Sequence, residues 1–204
     1  MRNIRRSLIA AANSKSDIPP GYTRLEYIGS TTLSQYIDTG INITNEDAIH
    51  IKFSVSSDIG KVMGSSNSSS RGYPGVGIYH ENVLKWRFGN ATIESTPSAL
   101  TVDTVHDAVL SYRKLVLDAV EYNATKPENW SNALIPLMIF GINIYNYGRQ
   151  YINNTRVYEF SITRNGSVIC EIIPCLDDNN VPCMYDKVRE ITLYNGNSGD
   201  FDYA

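Results

Sequence analysis

The sequence predicts an all-β protein, two antiparallel sheets packed as a sandwich, on three observations. Apolar residues recur at every second position in several stretches, the period of a half-buried strand. Turn signals rich in Asn, Gly, Asp and Pro punctuate the chain about every 8 to 12 residues, the spacing of a sandwich. The composition also suits short strands, since 14 Tyr accompany abundant Ile, Val, Thr, Asn and Ser, and β-branched and aromatic side chains fit a pleated surface. A length of 204 residues suffices for one such core and is short for two.

The elements follow in chain order. Residues 1–15, "MRNIRRSLIAAANSK", form the one helix-like stretch, with Ile4, Leu8 and Ala11 or Ala12 at helical spacing beside Arg2, Arg5 and Arg6. So short a helix is marginal in water, and its order requires a partner surface. Pro19, Pro20 and Gly21 then break it. We therefore divide the chain into an anchoring peptide and linker, 1–18, and a domain, 19–204. "GYTRLEYIGSTTLSQYIDTG", residues 21–40, reads as two short strands around a polar turn. "DAIHIKFSV", residues 47–55, sets Ile49, Ile51, Phe53 and Val55 against His50, Lys52 and Ser54. "VLKWRFGN" does the same with Leu84, Trp86 and Phe88 against Lys85 and Arg87, and "YEFSI" with Tyr158, Phe160 and Ile162 on the apolar side. "KPENWSNAL", from Lys126, suits one helical turn because Pro127 fits a first helical position. Asn165-Gly166 between two apolar runs is a hairpin signal, "DDNN" at 177–180 marks another reversal, and "NGNSG" at 195–199 another turn.

Charge and cysteine usage narrow the function. Charged residues make up 19% of the chain and the net charge is -3, so there is no broad positive field for a phosphate backbone and no nucleic acid is expected. No apolar run reaches the ~18 residues a membrane span requires, and no membrane partner is expected. "LIAAA" near the N-terminus is shorter than the apolar region of a signal peptide. Cys170, Cys175 and Cys183 have no nearby His and no zinc spacing; they read as buried thiols, with one disulfide as the alternative. No metal and no cofactor is expected.

Several strings together are familiar: "PPGYTRLEYIGSTTLSQYIDTGI", "FGINIYNYGRQ", "RVYEFSITRNGSVICEIIPCLDDNNVPCMYD" and "LYNGNSGDF". As a set they resemble laminin-G-like, concanavalin A-like jelly-roll domains of virion and fibre-associated proteins from phages of gut Bacteroidetes, including the crAss-like phages. The likeness runs over about residues 19–202. It implies two curved antiparallel sheets, with the first strands near the last, and a role in attachment or decoration. Sugar-cleaving members of the concanavalin A-like group use paired carboxylates in a pattern similar to Glu-x-Asp-x-x-Glu, which is missing from this sequence. The adjacent acids Glu46-Asp47 and Asp177-Asp178 read as solvated turn residues, and His50, His80 and His106 stand far apart. No catalytic residue is expected.

The expectation is a non-enzymatic phage virion protein, a head or tail fibre or decoration module. Arg2, Ile4, Arg5, Arg6, Leu8 and Ile9 would dock it on capsid or tail proteins, the apolar residues in a groove and the arginines at its rim. A homo-oligomer, dimer or trimer, fits such an appendage. The alternative is a lectin-like adhesin module, with a glycoside hydrolase ranked last. For a host surface glycan, Asn143, Tyr145, Asn146, Tyr147, Arg149 and Tyr151 offer rings to stack on a sugar and planar groups for its hydroxyls. Tyr73, Tyr79 and His80 are a lesser addition; against the whole site stands the reading that Tyr145 and Tyr151 are edge packing.

Overall fold

The computed structural model describes residues 17–32, 34–57, 59–67, 75–81, 83–89, 94–97, 99–124, 132–145, 148–150 and 154–204. The expected helix over 1–15 lies outside them, as does most of "KPENWSNAL"; no helix occurs among the described residues. The strands run in order as β1 (Thr23–Arg24), β2 (Ile28–Gly29), β3 (Ile37–Asp38), β4 (Asp47–Val55), β5 (Ile59–Ser66), β6 (Gly75–Glu81), β7 (Val83–Gly89), β8 (Glu94–Ser95), β9 (His106–Ser111) and β10 (Lys114–Leu117). They continue as β11 (Val120–Asn123), β12 (Met138–Ile139), β13 (Ile142–Ile144), β14 (Gly148–Gln150), β15 (Thr155–Arg164), β16 (Ser167–Leu176), β17 (Pro182–Asp186), β18 (Ile191–Leu193) and β19 (Asp202–Tyr203).

The strands form two sheets. The first has the order β11-β10-β9-β4-β15-β16-β17-β18, with β1 beside β16 and β2 between β15 and β19. The second has the order β14-β13-β5-β6-β7-β8, with β12 joining β3 to β5. Pairing is antiparallel except between β13 and β5. The result is an all-β sandwich compatible with a jelly roll.

Strict alternation explains where the core sits. Ile49, Ile51, Phe53 and Val55 of β4 are at most 1% exposed, and Leu84, Trp86 and Phe88 of β7 likewise. These side chains share one cluster with Phe160 and Ile162 of β15 and Val76 and Ile78 of β6, so both sheets contribute inner faces to it. Each such side chain contributes about 1.5–3 kcal/mol by leaving water. The β15–β16 hairpin turns at Asn165 and Gly166, whose φ values of 50° and 78° are the left-handed pair that Asn-Gly supplies. The first strands do lie beside the last, since β2 pairs with β19 in the register Gly29↔Asp202 and Ile28↔Tyr203.

Four expectations require correction. Residues 21–40 are not a hairpin, because β1 and β2 belong to the first sheet whereas β3 pairs with β12 in the second. Tyr158 is not on the apolar side: β15 bulges between Val157 and Glu159, so Val157 and Phe160 both face inward and Tyr158 is turned out. Arg87 is buried, not solvated, and donates to Ser66 Oγ at 3.0 Å. Asp47 and Asp177 are 2% and 4% exposed, because each carboxylate organises the turn it sits in. Asp47 accepts from Arg164 Nε at 2.7 Å and from Thr44 N–H at 2.8 Å. Asp177 accepts from Asn179 and Val181 N–H, both at 2.8 Å.

Candidate functional site

The first sheet turns its outer face, away from the core, toward a shallow groove. Alternation along β4 points His50 and Lys52 outward, and the β15 bulge adds Tyr158 and Glu159 beside them. Glu171 of β16 and Lys187, just after β17, close one side. Asp17 and Arg24 of the lead-in line it too, so that Arg24, His50, Tyr158, Ser161, Glu171 and Lys187 surround about 460 Å³. A second concavity of about 480 Å³ continues past Tyr158 to Lys52 and Glu26.

The polar side chains are paired with one another. Lys187 Nζ lies 2.6 Å from Glu171 Oε1, Lys52 Nζ lies 3.6 Å from Glu159 Oε1, and His50 Nε2 lies 3.1 Å from Asp107 Oδ1. Asp17 sits 3.9 Å from Arg24 and 4.0 Å from Lys187, at the rim of this face. Exposed pairs of this kind contribute little to stability, about 0–1 kcal/mol each, and remain available to a polar partner.

Tyrosines supply the apolar part. The rings of Tyr27 and Tyr158 lie 5.6 Å apart, tilted by 57°, and the Arg156 guanidinium stands 4.8 Å over Tyr27. Tyr158 Oη is 3.3 Å from Ser54 Oγ. Burial, with the Asp202 carboxylate adding to it against Arg156, pushes the Tyr27 phenol above its ordinary value, so it stays a neutral donor to Asp202. Ser161 stands directly opposite His50 in register, giving the order Asp107, His50, Ser161 across β9, β4 and β15. Among the described residues no hydrogen bond joins Ser161 to His50.

No family model matches this sequence, and no curated protein is similar to it. The laminin-G-like resemblance therefore rests on the quoted strings, and the sandwich architecture is what the fold adds to it.

The residues singled out from the sequence fall elsewhere. Arg2, Ile4, Arg5, Arg6, Leu8 and Ile9 lie outside the described residues, as do Tyr73, Asn146, Tyr147 and Tyr151. Asn143 pairs in register with Arg149 at the β13–β14 hairpin, and its amide donates to the Pro136 carbonyl at 3.3 Å, which ties it to its own fold. Tyr145 is 42% exposed at the turn. Tyr79 and His80 are not available as ligands: both are buried, and His80 Nδ1 lies 3.1 Å from the Ser57 carbonyl oxygen. Sequence reasoning missed Tyr27, Tyr158, Arg156 and Glu159. The usable signal was the spacing of Val157 and Phe160, two apolar residues three apart in an otherwise two-residue period, which marks a bulge.

Proposed function

We propose that the chain is a non-enzymatic structural module of a phage virion, a head or tail fibre or decoration protein. It is held through residues 1–15 and displays its sandwich for attachment or assembly. The observation that supports this reading is the position of Asp17, 3.9 Å from Arg24 and 4.0 Å from Lys187 on the groove face. Asp17 lies on one side of a sandwich whose core cluster is drawn from residues 28–201. A decoration module of this kind keeps its anchor and its displayed domain as separate units. A groove whose charges are cross-paired and whose rings are tyrosines suits reversible contact with a polar surface.

Removal of residues 1–15 is the direct test. The truncated protein should keep its β-sheet circular dichroism and lose incorporation into particles; unchanged incorporation overturns the anchor. A second reading, glycan binding, is favoured by the Tyr27–Tyr158 pair with Arg156 above it, since sugars stack on such rings. On a bacterial polysaccharide array, Tyr158→Ala should lose about tenfold or more in affinity. Equal binding by wild type and variant removes that reading, and release of reducing ends abolished by His50→Ala would establish a hydrolase instead.

A further inference from the structure

β16 and β17 place Cys175 directly opposite Cys183. The two Sγ atoms lie 3.4 Å apart, and neither residue has any measurable exposure. Directly opposed residues of an antiparallel pair have Cα atoms about 4.5–5.5 Å apart, inside the ~4.4–6.8 Å range that a disulfide spans. Closing the sulfurs to a bond of about 2.05 Å therefore calls for side-chain rotation and no displacement of either strand. Cys170 is differently placed: it faces Ile162 of β15 and lies 3.8 Å from Arg189 Nη2.

We propose that Cys175 and Cys183 are a redox pair, which a peroxide admitted by local opening of the strands oxidises to an intrachain disulfide stapling β16 to β17. The Cys175 thiolate attacks one peroxide oxygen; the O–O bond breaks, a sulfenic acid forms on Cys175, and hydroxide leaves to take up a proton. The Cys183 thiolate then attacks the Cys175 sulfur; the S–O bond breaks, the disulfide forms, and a second hydroxide leaves as water. The two thiols lose two protons and two electrons in all, and the peroxide is reduced to two waters.

The assignment of roles follows from the surroundings. The hydrogen bond from Cys183 lowers the Cys175 thiol below its ordinary value, and the Tyr185 N–H assists. The same contact, together with burial, pushes Cys183 up and keeps it protonated until Cys175 has reacted. Burial and the nearby Asp186 carboxylate push Cys170 well up, which makes it a poor nucleophile. The strands are already paired with both thiols free, so oxidation changes their stiffness and leaves the topology alone. This inference stands apart from the virion reading.

The experiment exposes the full chain to hydrogen peroxide, and in a parallel arm refolds it in a glutathione redox buffer. Both products are mapped by mass spectrometry without reductant. The expected product lacks two hydrogens, is bridged between Cys175 and Cys183, and keeps Cys170 free for alkylation after unfolding. Cys170→Ser should give the same bridge, whereas Cys175→Ser and Cys183→Ser should give none. The urea midpoint of the bridged form should lie above that of the reduced form, a difference that vanishes in Cys175→Ser. A bridge to Cys170, sulfinic acid on Cys175 in place of a bridge, or three reduced thiols in both arms overturns the proposal.

Discussion

Asp47, Asp177 and Asp186 carry much of the turn structure at the residue scale. Asp186, with a fully buried side chain, accepts from Arg189 Nε at 2.5 Å and from Val188 N–H at 2.9 Å, and also from the Glu171 and Arg189 N–H groups at 3.3 Å. Asp186→Ala strands all four donors at once. It should cost about 3 kcal/mol, read as a lower urea midpoint with the slope unchanged. Acid should act through the same groups. The Val181 N–H, aided by Tyr194 and Asn179, holds the Asp177 carboxyl below the ordinary value of 3.8. Burial opposes ionisation of Asp186, but Arg189, Cys170 and backbone N–H groups outweigh it and hold this group below 3.8 as well. Both bind protons more tightly in the unfolded chain, so their stabilisation is complete above the ordinary value and is lost as pH falls through the folded values. The wild-type urea midpoint should decline on acidification below about pH 4, and less steeply in Asp186→Ala. From sequence Asp47 and Asp177 read as solvated, because a turn Asp that faces water and one that faces its own backbone share the same local pattern.

Glycines separate two kinds of constraint at the scale of the element. Gly166 needs its φ of 78° and has nothing within 4 Å of the place a Cβ would take, so Gly166→Ala meets backbone strain alone, about 1–2 kcal/mol. At Gly196 a Cβ would fall within the Tyr36 ring, whose hydroxyl donates to the Gly196 carbonyl at 2.8 Å. Gly196→Ala should displace the 195–199 loop and cost about 1–3 kcal/mol. Thermal unfolding compares the two, and faster proteolysis near residue 196 in the second variant alone would mark the displaced loop. Elements with unbroken alternation were legible: β4 occupies the residues its pattern marked out, 47–55. β15 was half legible, because a bulge reverses the facing of every residue beyond it and Tyr158 changed sides. Residues 21–40 were legible as strands but not as partners, since their pairing depends on residues far along the chain.

At the scale of the whole molecule, residues 201–203 close the sandwich. Phe201 is 4% exposed and packs against Phe140 at 5.4 Å between ring centres. Phe201→Ala should cost about 3–5 kcal/mol, with tryptophan fluorescence and circular dichroism still reporting one coincident transition. The groove face was the least legible part, because it assembles side chains from β4, β15, β16 and the lead-in that no local pattern connects.

The pairing of β2 with β19 also sets a timetable. Ile28 is made well before Tyr203, so at ~5–20 residues per second β2 waits on the order of ten seconds or more for its partner. During synthesis β2 therefore presents an unpaired, apolar edge on that side, and the sandwich can seal only once β19 has left the ribosome.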